Sequence, residues 1–104
     1  MNSPEKTQAI SLNSVVVATS QQVSAHLGDE VVILGFKSGA YYSLDQVGLF
    51  VWHLIQEPQK VADIRDAILE EYEVEAKDCE RDLLALLEEL VVKQLIDIKN
   101  ETDP

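Results

Sequence analysis

The hydrophobic pattern of this 104-residue chain changes its period at Asp45. Before Asp45, short apolar and β-branched segments are separated by the turn signals Gly28-Asp29 and Lys37-Ser38-Gly39, which is typical of strands. After Asp45, apolar residues recur every three or four positions, which is typical of helices that bury one face. A chain divided in this way is predicted to fold as an α+β domain.

The first half predicts a three-stranded antiparallel sheet. Val23–Leu27 alternates in polarity, and Glu30–Phe36 is rich in Val, Ile and Leu, so it should be the more buried strand. Ala40–Leu44 follows after a short turn, and short connections favour antiparallel neighbours. Ala40–Leu44 is therefore expected at the edge of the sheet. Val15–Val17 is a further short β-branched segment.

The second half predicts three helices, over about residues 46–56, 61–72 and 78–94. Asp45 can cap the first helix, and Pro58 stops it. Leu95–Ile98 is expected to end as a short strand that returns to the sheet. Three strands followed by three helices predict a winged-helix-like domain over residues 10–98, with polar, disordered tails at residues 1–9 and 99–104.

The charge balance excludes several classes of partner. Nineteen acidic residues against eight basic ones give a formal net charge of -11, which repels nucleic acid and anionic membranes. A neutral or basic partner fits this charge. One cysteine permits no internal disulfide, and the chain shows neither a signal peptide nor an apolar run of the roughly 18 residues that span a bilayer. A cytoplasmic location is therefore expected.

The predicted third helix has an apolar arc that covers about half of its circumference, wider than the ~100° stripe of an ordinary surface helix. The arc consists of Cys79, Leu83, Leu84, Leu86, Leu87, Leu90 and Val91. Beyond it, Asp82, Glu89 and Lys93 form a polar row. Deep burial of a long helix in a small domain explains this arc. The alternative is a second apolar contact, in a groove bordered by Leu86 and the polar row.

The predicted edge strand favours the groove. Proteins usually protect exposed strand edges with charges or proline, and Ala40–Leu44 contains neither. An extended peptide could add to such an edge as a further strand. Tyr41 and Tyr42 should point to opposite faces, one toward the core and the other toward the peptide, although ordinary sheet packing would explain either.

The sequence offers little for catalysis. His26 and His53 lie on different elements and form no metal-binding pattern, so neither a metal nor a cofactor is predicted. A Cys79–His53 nucleophile pair is conceivable, but acidic neighbours should raise rather than lower the pKa of Cys79. A small enzyme that uses Cys79 is therefore one alternative. A winged-helix transcription regulator is another, although its recognition helix should be basic.

Residues 23–96 resemble the PqqD-like family of leader-recognition domains, which act in pathways that modify ribosomally made peptides. The segments GDEVVIL and SGAYYSLDQVGLFVWHLI resemble the family's hairpin and its strand-to-helix signature, and VADIRDAILEEYEVEAKDCERDLLALLEELVVKQLI resembles its closing pattern. The family usually has Asn where Asp45 stands, which keeps a helix cap. It often has Gly where Gln94 stands.

The resemblance implies a non-enzymatic domain to which a leader peptide adds as a strand, beside the third strand and against the third helix. The strand contacts implied by position are Ala40, Tyr41, Tyr42, Ser43 and Leu44. The implied helix contacts are Asp82, Leu83, Leu86, Glu89, Leu90 and Lys93. The chain looks most like the stand-alone domain of lasso-peptide pathways, which serves a leader peptidase and a cyclase. A chaperone for a radical-SAM enzyme, as in pyrroloquinoline quinone synthesis, is the alternative.

Overall fold

Two small antiparallel sheets and three helices form the described part of the chain, which comprises residues 10–20 and 22–99 of a computed structural model. The elements in order are β1 (Val15–Ala18), β2 (Gln22–Leu27), β3 (Glu30–Gly35), β4 (Tyr41–Leu44), α1 (Gln46–Leu54), β5 (Gln59–Lys60), α2 (Val61–Glu71), α3 (Ala76–Val92) and β6 (Ile96–Ile98). The α+β class is confirmed, as is the order of a three-stranded meander followed by three helices. The predicted tails lie outside the described residues, except for Lys99.

The meander has the strand order β2-β3-β4, so β4 pairs on one side only. Its antiparallel register places Ile33 opposite Tyr42 and Val31 opposite Leu44. Val31, Ile33 and Leu44 are buried in the core. The alternate positions point to the other face, because successive strand residues point to opposite sides of a sheet. The meander therefore has one face on the core and one toward solvent.

The end of the chain does return to a sheet, but to a second one that the sequence did not predict. β1 lies between β5 and β6, with Val16 opposite both Gln59 and Ile98. The segments Val15–Val17 and Leu95–Ile98 are visible in the sequence, but their pairing is not, because β1 shows no alternation and β5 has only two residues, Gln59 and Lys60. Val16 is fully buried, so β1 joins the second sheet to the core.

Hydrogen bonds hold the chain at both ends of β4. At one end, Ser38 Oγ in the β3–β4 turn donates a hydrogen bond to the carbonyl oxygen of Lys93, at 3.0 Å. At the other end, Asp45 Oδ1 accepts a hydrogen bond from Gly48 N–H at 2.8 Å, which confirms Asp45 as the cap of α1. The buried Leu44 precedes this cap. The short strand is therefore held at both ends.

The C-terminus of α3 has the hydrogen bonds of a Schellman motif. Leu95 N–H donates to Leu90 O and Gln94 N–H donates to Val91 O, each at 2.9 Å. Leu90 and Leu95 are both buried, which supplies the apolar contact of this motif. Gln94 adopts a left-handed conformation with φ of 62°, in which a side chain is strained and glycine is not.

We predict that Gln94→Gly stabilises the protein. Removing Cβ relieves the left-handed strain and should raise the free energy of unfolding by about 0.5–1 kcal/mol. Urea denaturation followed by circular dichroism measures this change. Gln94→Ala is the control, because it keeps Cβ and should bring no gain. A stability gain of equal size in both variants would show that the glutamine side chain, rather than the backbone conformation, is unfavourable.

Candidate functional site

A groove of about 1270 Å³ lies between β4 and α3 and is closed at its base by α1 and the end of α2. This volume exceeds the roughly 300–1,000 Å³ of a site for a drug-sized ligand. The groove is lined by Tyr42, Ser43, Leu44, Asp45, Val47, Gly48, Val51, Ile68, Glu73, Val74, Glu75, Asp78, Cys79, Asp82, Leu83, Ala85, Leu86, Glu88, Glu89, Val92 and Lys93. Its length along α3 suits an extended ligand.

One wall of the groove is the free edge of β4. Gly35 N–H donates to Ala40 O at 2.9 Å, so the carbonyl oxygen of Ala40 faces β3. Because backbone groups alternate in direction along an antiparallel strand, those of Tyr41 and Ser43 face away from β3. In the described part of the chain no strand pairs with this side of β4. Amide donors and carbonyl acceptors are therefore available at the groove.

The groove has an apolar floor. Cys79 and Leu83 on α3 are buried, Leu86 is half-buried, and Val51 of α1 is buried beneath them. Val92 lies near the other end of α3, where its side chain is 79% exposed. An apolar ligand side chain that covers such surface gains roughly 25 cal/mol per Å² removed from water. The floor can therefore bind apolar side chains that point into the groove.

The rim of the groove is mostly acidic. Its carboxylates belong to Asp45, Glu73, Glu75, Asp78, Asp82, Glu88 and Glu89, and Lys93 is the one cation in the described lining. Lys93 Nζ lies 6.0 Å from the centroid of the Tyr42 ring, the outer limit of a cation–π contact. Burial raises the pKa of Tyr42, and hydrogen bonding to Glu89 and its charge raise it further. The Tyr42 hydroxyl therefore stays protonated and can donate a hydrogen bond.

The structure brings most of the predicted site residues to this groove. Those in the lining are Tyr42, Ser43, Leu44, Asp82, Leu83, Leu86, Glu89 and Lys93. Three others lie elsewhere. Ala40 precedes β4, the Tyr41 side chain is 66% exposed and its alternation places it on the opposite face of the sheet, and Leu90 is buried in the core. Of the two tyrosines, Tyr42 is the one in the groove.

Sequence reasoning missed part of the lining. Asp78 lies four residues before Asp82, and Cys79 lies four residues before Leu83. Each therefore occupies the same face of the helix as its partner, one turn earlier. Extending the predicted row by one turn would have found Asp78. Val51 of α1 could not have been separated from core residues, because it is both buried and part of the floor.

A second apolar surface covers the solvent side of the meander. Val23 pairs with Leu34, and Leu34 pairs with Tyr41, so their side chains form one row across the three strands. Phe36 belongs to the turn that directly follows β3, at the end of the central strand of this row. Each of these four side chains is at least 41% exposed. We call this surface the outer sheet face.

Two observations on the described residues, 10–20 and 22–99, bear on catalysis. These residues include no group of three His, Cys, Asp or Glu side chains placed to hold a metal ion. Burial raises the pKa of Cys79 and several carboxylates add to this, although Arg65 opposes it. A raised pKa leaves less of the reactive thiolate. Every helix in this part of the chain is too short or too polar to cross a bilayer.

Comparison with known proteins places this fold in a family. The family model for coenzyme PQQ synthesis protein D (PqqD) matches residues 30–96, and the chain therefore belongs to the PqqD family. A comparison with curated protein sequences finds no match.

Two solved structures resemble the chain. TbiB1 in complex with the TbiA(beta) leader peptide is 39% identical with a TM-score of 0.68, and the match covers 84% of this chain and 99% of TbiB1. Lasso peptide synthetase B1 complexed with the leader peptide is 26% identical with a TM-score of 0.67, and the match covers 79% of this chain and 96% of the synthetase B1 chain. Both relatives are matched over nearly their whole length and were solved with a leader peptide bound.

We predict that Cys79 reacts slowly in the folded protein. Because it is buried and its pKa is raised, iodoacetamide at pH 8 should alkylate it at least about tenfold more slowly than in the urea-unfolded chain. Cys79 is the one cysteine of the sequence, so mass spectrometry of the whole protein reports this rate directly. Equal rates in the folded and unfolded protein would indicate an accessible thiol and would favour the enzyme hypothesis.

Proposed function

We propose that this protein is a non-enzymatic domain that binds the leader segment of a ribosomally made precursor peptide and delivers it to modifying enzymes. The observation that carries this proposal is the free edge of β4 beside the apolar groove of α3. Strand addition to β4 supplies affinity through backbone hydrogen bonds, and the groove floor supplies selectivity through side chains. The binding domain comprises residues 10–98, and its proposed location is the cytoplasm.

The comparisons support a leader peptide as the ligand. Both similar structures contain such a peptide, and the match to TbiB1 covers nearly all of that chain at 39% identity. The likeness to lasso-peptide proteins favours a leader peptidase and a cyclase as the partner enzymes. Chaperoning for a radical-SAM enzyme is the alternative within the same family. Pull-down of partner enzymes by the tagged protein, with and without leader, would separate the two.

The charge of α3 argues against the regulator alternative. A DNA-recognition helix needs exposed cations that contact phosphates. On α3, Arg81 is engaged with Asp78 and Asp82, and the helix carries more acidic than basic residues. The acidic rim of the groove would repel nucleic acid.

Delivery to an enzyme requires a surface that stays free while the groove is occupied, and we assign this role to the outer sheet face. It lies on the side of the meander opposite the core, and exposed apolar patches of this kind mark sites of protein association. A second copy of the chain is disfavoured as the occupant, because two molecules with a net charge of -11 repel each other. A partner enzyme with a neutral or basic docking surface carries no such penalty.

We predict that Ser43→Pro abolishes leader binding while the domain stays folded. The N–H of Ser43 faces the open edge, so proline removes a donor to the guest strand but no bond to β3. Fluorescence polarisation with labelled TbiA(beta) leader should show at least a roughly tenfold loss of affinity, since proline also blocks close approach of the guest backbone.

Ser43→Ala is the matched control for this variant. It removes the 2.9 Å hydrogen bond from Ser43 Oγ to Glu30 Oε1 but keeps the backbone N–H. It should bind the leader like the parent protein. Unchanged affinity in a folded Ser43→Pro protein would refute strand addition at β4.

We predict that Phe36→Ser slows leader removal by the cognate leader peptidase without weakening leader binding. Phe36 is 65% exposed and lies beyond the end of β3, so its loss should disturb neither the meander nor the groove. Cleavage of the precursor is followed by mass spectrometry.

Leu27→Ser is the control for the outer sheet face. Leu27 is 62% exposed on β2, and it lies about 13 Å along the strand from Val23. The Leu27→Ser variant should leave cleavage of the precursor unchanged.

If Phe36→Ser instead converted a dimer into a monomer in size-exclusion chromatography, the outer sheet face would be a self-association surface.

A further inference from the structure

We infer that the leader bound by this groove carries lysine or arginine beside the first two turns of α3. This inference rests on the proposed function and adds the chemistry of the ligand at one end of the groove. We call this end, formed by Glu73, Glu75, Asp78 and Asp82, the acidic end.

The carboxylates of the acidic end exceed the cations available to them. Glu73 and Glu75 form no ion pair with any described residue. Asp78 and Asp82 share a single cation, since Arg81 contacts each of them at 3.3 Å. Arg81 itself is 70% exposed and does not line the groove. A net negative potential therefore remains where the ligand would lie.

The carboxylates of the acidic end repel each other in the free protein, which favours a cationic ligand. Asp78 and Asp82 are separated by one helical turn, and like charges at this spacing repel each other. Arg81 relieves only part of the repulsion, because exposed ion pairs contribute little. A cationic side chain of the ligand would meet both carboxylates from the groove side and add an attraction that falls with salt.

The other end of the groove has different chemistry. There Lys93 lies near the Tyr42 ring, and Glu89 is close to the Tyr42 hydroxyl, so charges of both signs are present. Between Asp82 and Lys93 the helix axis rises about 16 Å, and between Asp78 and Lys93 about 22 Å. An extended ligand spans these distances with about five to seven residues. The cation should therefore lie about five to seven residues along the ligand from the ligand residue beside Lys93.

A charge scan of one peptide tests the inference. The probe is the TbiA(beta) leader peptide, labelled with a fluorophore, in which each position is replaced in turn by lysine and by glutamate. Affinity is measured by fluorescence polarisation at 50 mM and 500 mM salt. At one window of adjacent positions, the peptide with lysine should bind more tightly than the peptide with glutamate, by about 2- to 5-fold for each carboxylate that the lysine meets. This difference in affinity should shrink at high salt.

Variants of the protein assign this window to the acidic end. The double variant Asp78→Asn/Asp82→Asn should remove the preference for lysine while circular dichroism shows an unchanged fold. The double variant Asp29→Asn/Glu57→Gln makes the same change in formal charge at exposed positions outside the groove, and it should keep the preference. Arg81→Ala removes the ion pairs of Asp78 and Asp82 and should enlarge the preference for lysine.

The outcomes separate the inference from the function on which it rests. Peptides that bind with equal affinity for lysine and glutamate at every position, or a window that persists in Asp78→Asn/Asp82→Asn, would overturn the inference and leave leader binding intact. Failure of every peptide to bind would overturn both. A lysine window that disappears in Asp78→Asn/Asp82→Asn and persists in Asp29→Asn/Glu57→Gln would support the inference.

Discussion

The one-sided pairing of β4 is the constraint on which the rest of the site depends. The strand bonds to β3 along one edge, buries Leu44 in the core and passes directly into the Asp45 cap of α1. At its other end, the Ser38–Lys93 hydrogen bond joins the β3–β4 turn to the end of α3. A four-residue strand held at both ends can keep its second edge unpaired without fraying. The scaffold thus presents an ordered row of backbone groups beside an apolar helix, and ordering these groups in advance lowers the entropic cost of binding a flexible peptide.

Much of this arrangement is predictable because it follows from local patterns. The alternation in β2, the turn signals and the wide apolar arc of α3 predicted the meander, its edge and the wall that faces it. What escaped prediction depends on contacts between distant segments. The second sheet needs the two-residue strand β5 and the pairing of β1 with β6, and no local pattern encodes either. Leu90 and Leu86 look equivalent on a helical wheel, yet the packed core leaves Leu90 only 1% exposed while Leu86 lines the groove. Helical periodicity identifies an apolar arc but does not divide it between the core and a ligand.

A domain that binds through backbone groups needs no reactive side chain, and the chemistry of the groove agrees with this. The one thiol is part of the floor, where burial that suits apolar contact also disfavours its thiolate. The Tyr42 hydroxyl stays protonated beside Glu89 for a related reason, because burial and a nearby carboxylate both oppose its ionisation. The Tyr42 hydroxyl is therefore suited to donate a hydrogen bond to a ligand. Under the proposed function a second protein performs the reaction of the ligand, and the outer sheet face is the surface we propose for that protein.

An open strand edge also carries a risk, since it can pair with any extended chain, including another copy of the same protein. Neither charge nor proline within β4 protects this edge. The protection we infer comes from α3 and the segment before it, whose carboxylates surround the groove. A second molecule of net charge -11 that approached this edge would meet a negative potential at close range, and an acidic peptide would meet the same barrier. A guest with cations beside Asp78 and Asp82 would instead relieve repulsion that exists in the free domain. The same charges would then disfavour self-association and favour a cationic ligand, so the edge could stay unpaired and still bind selectively.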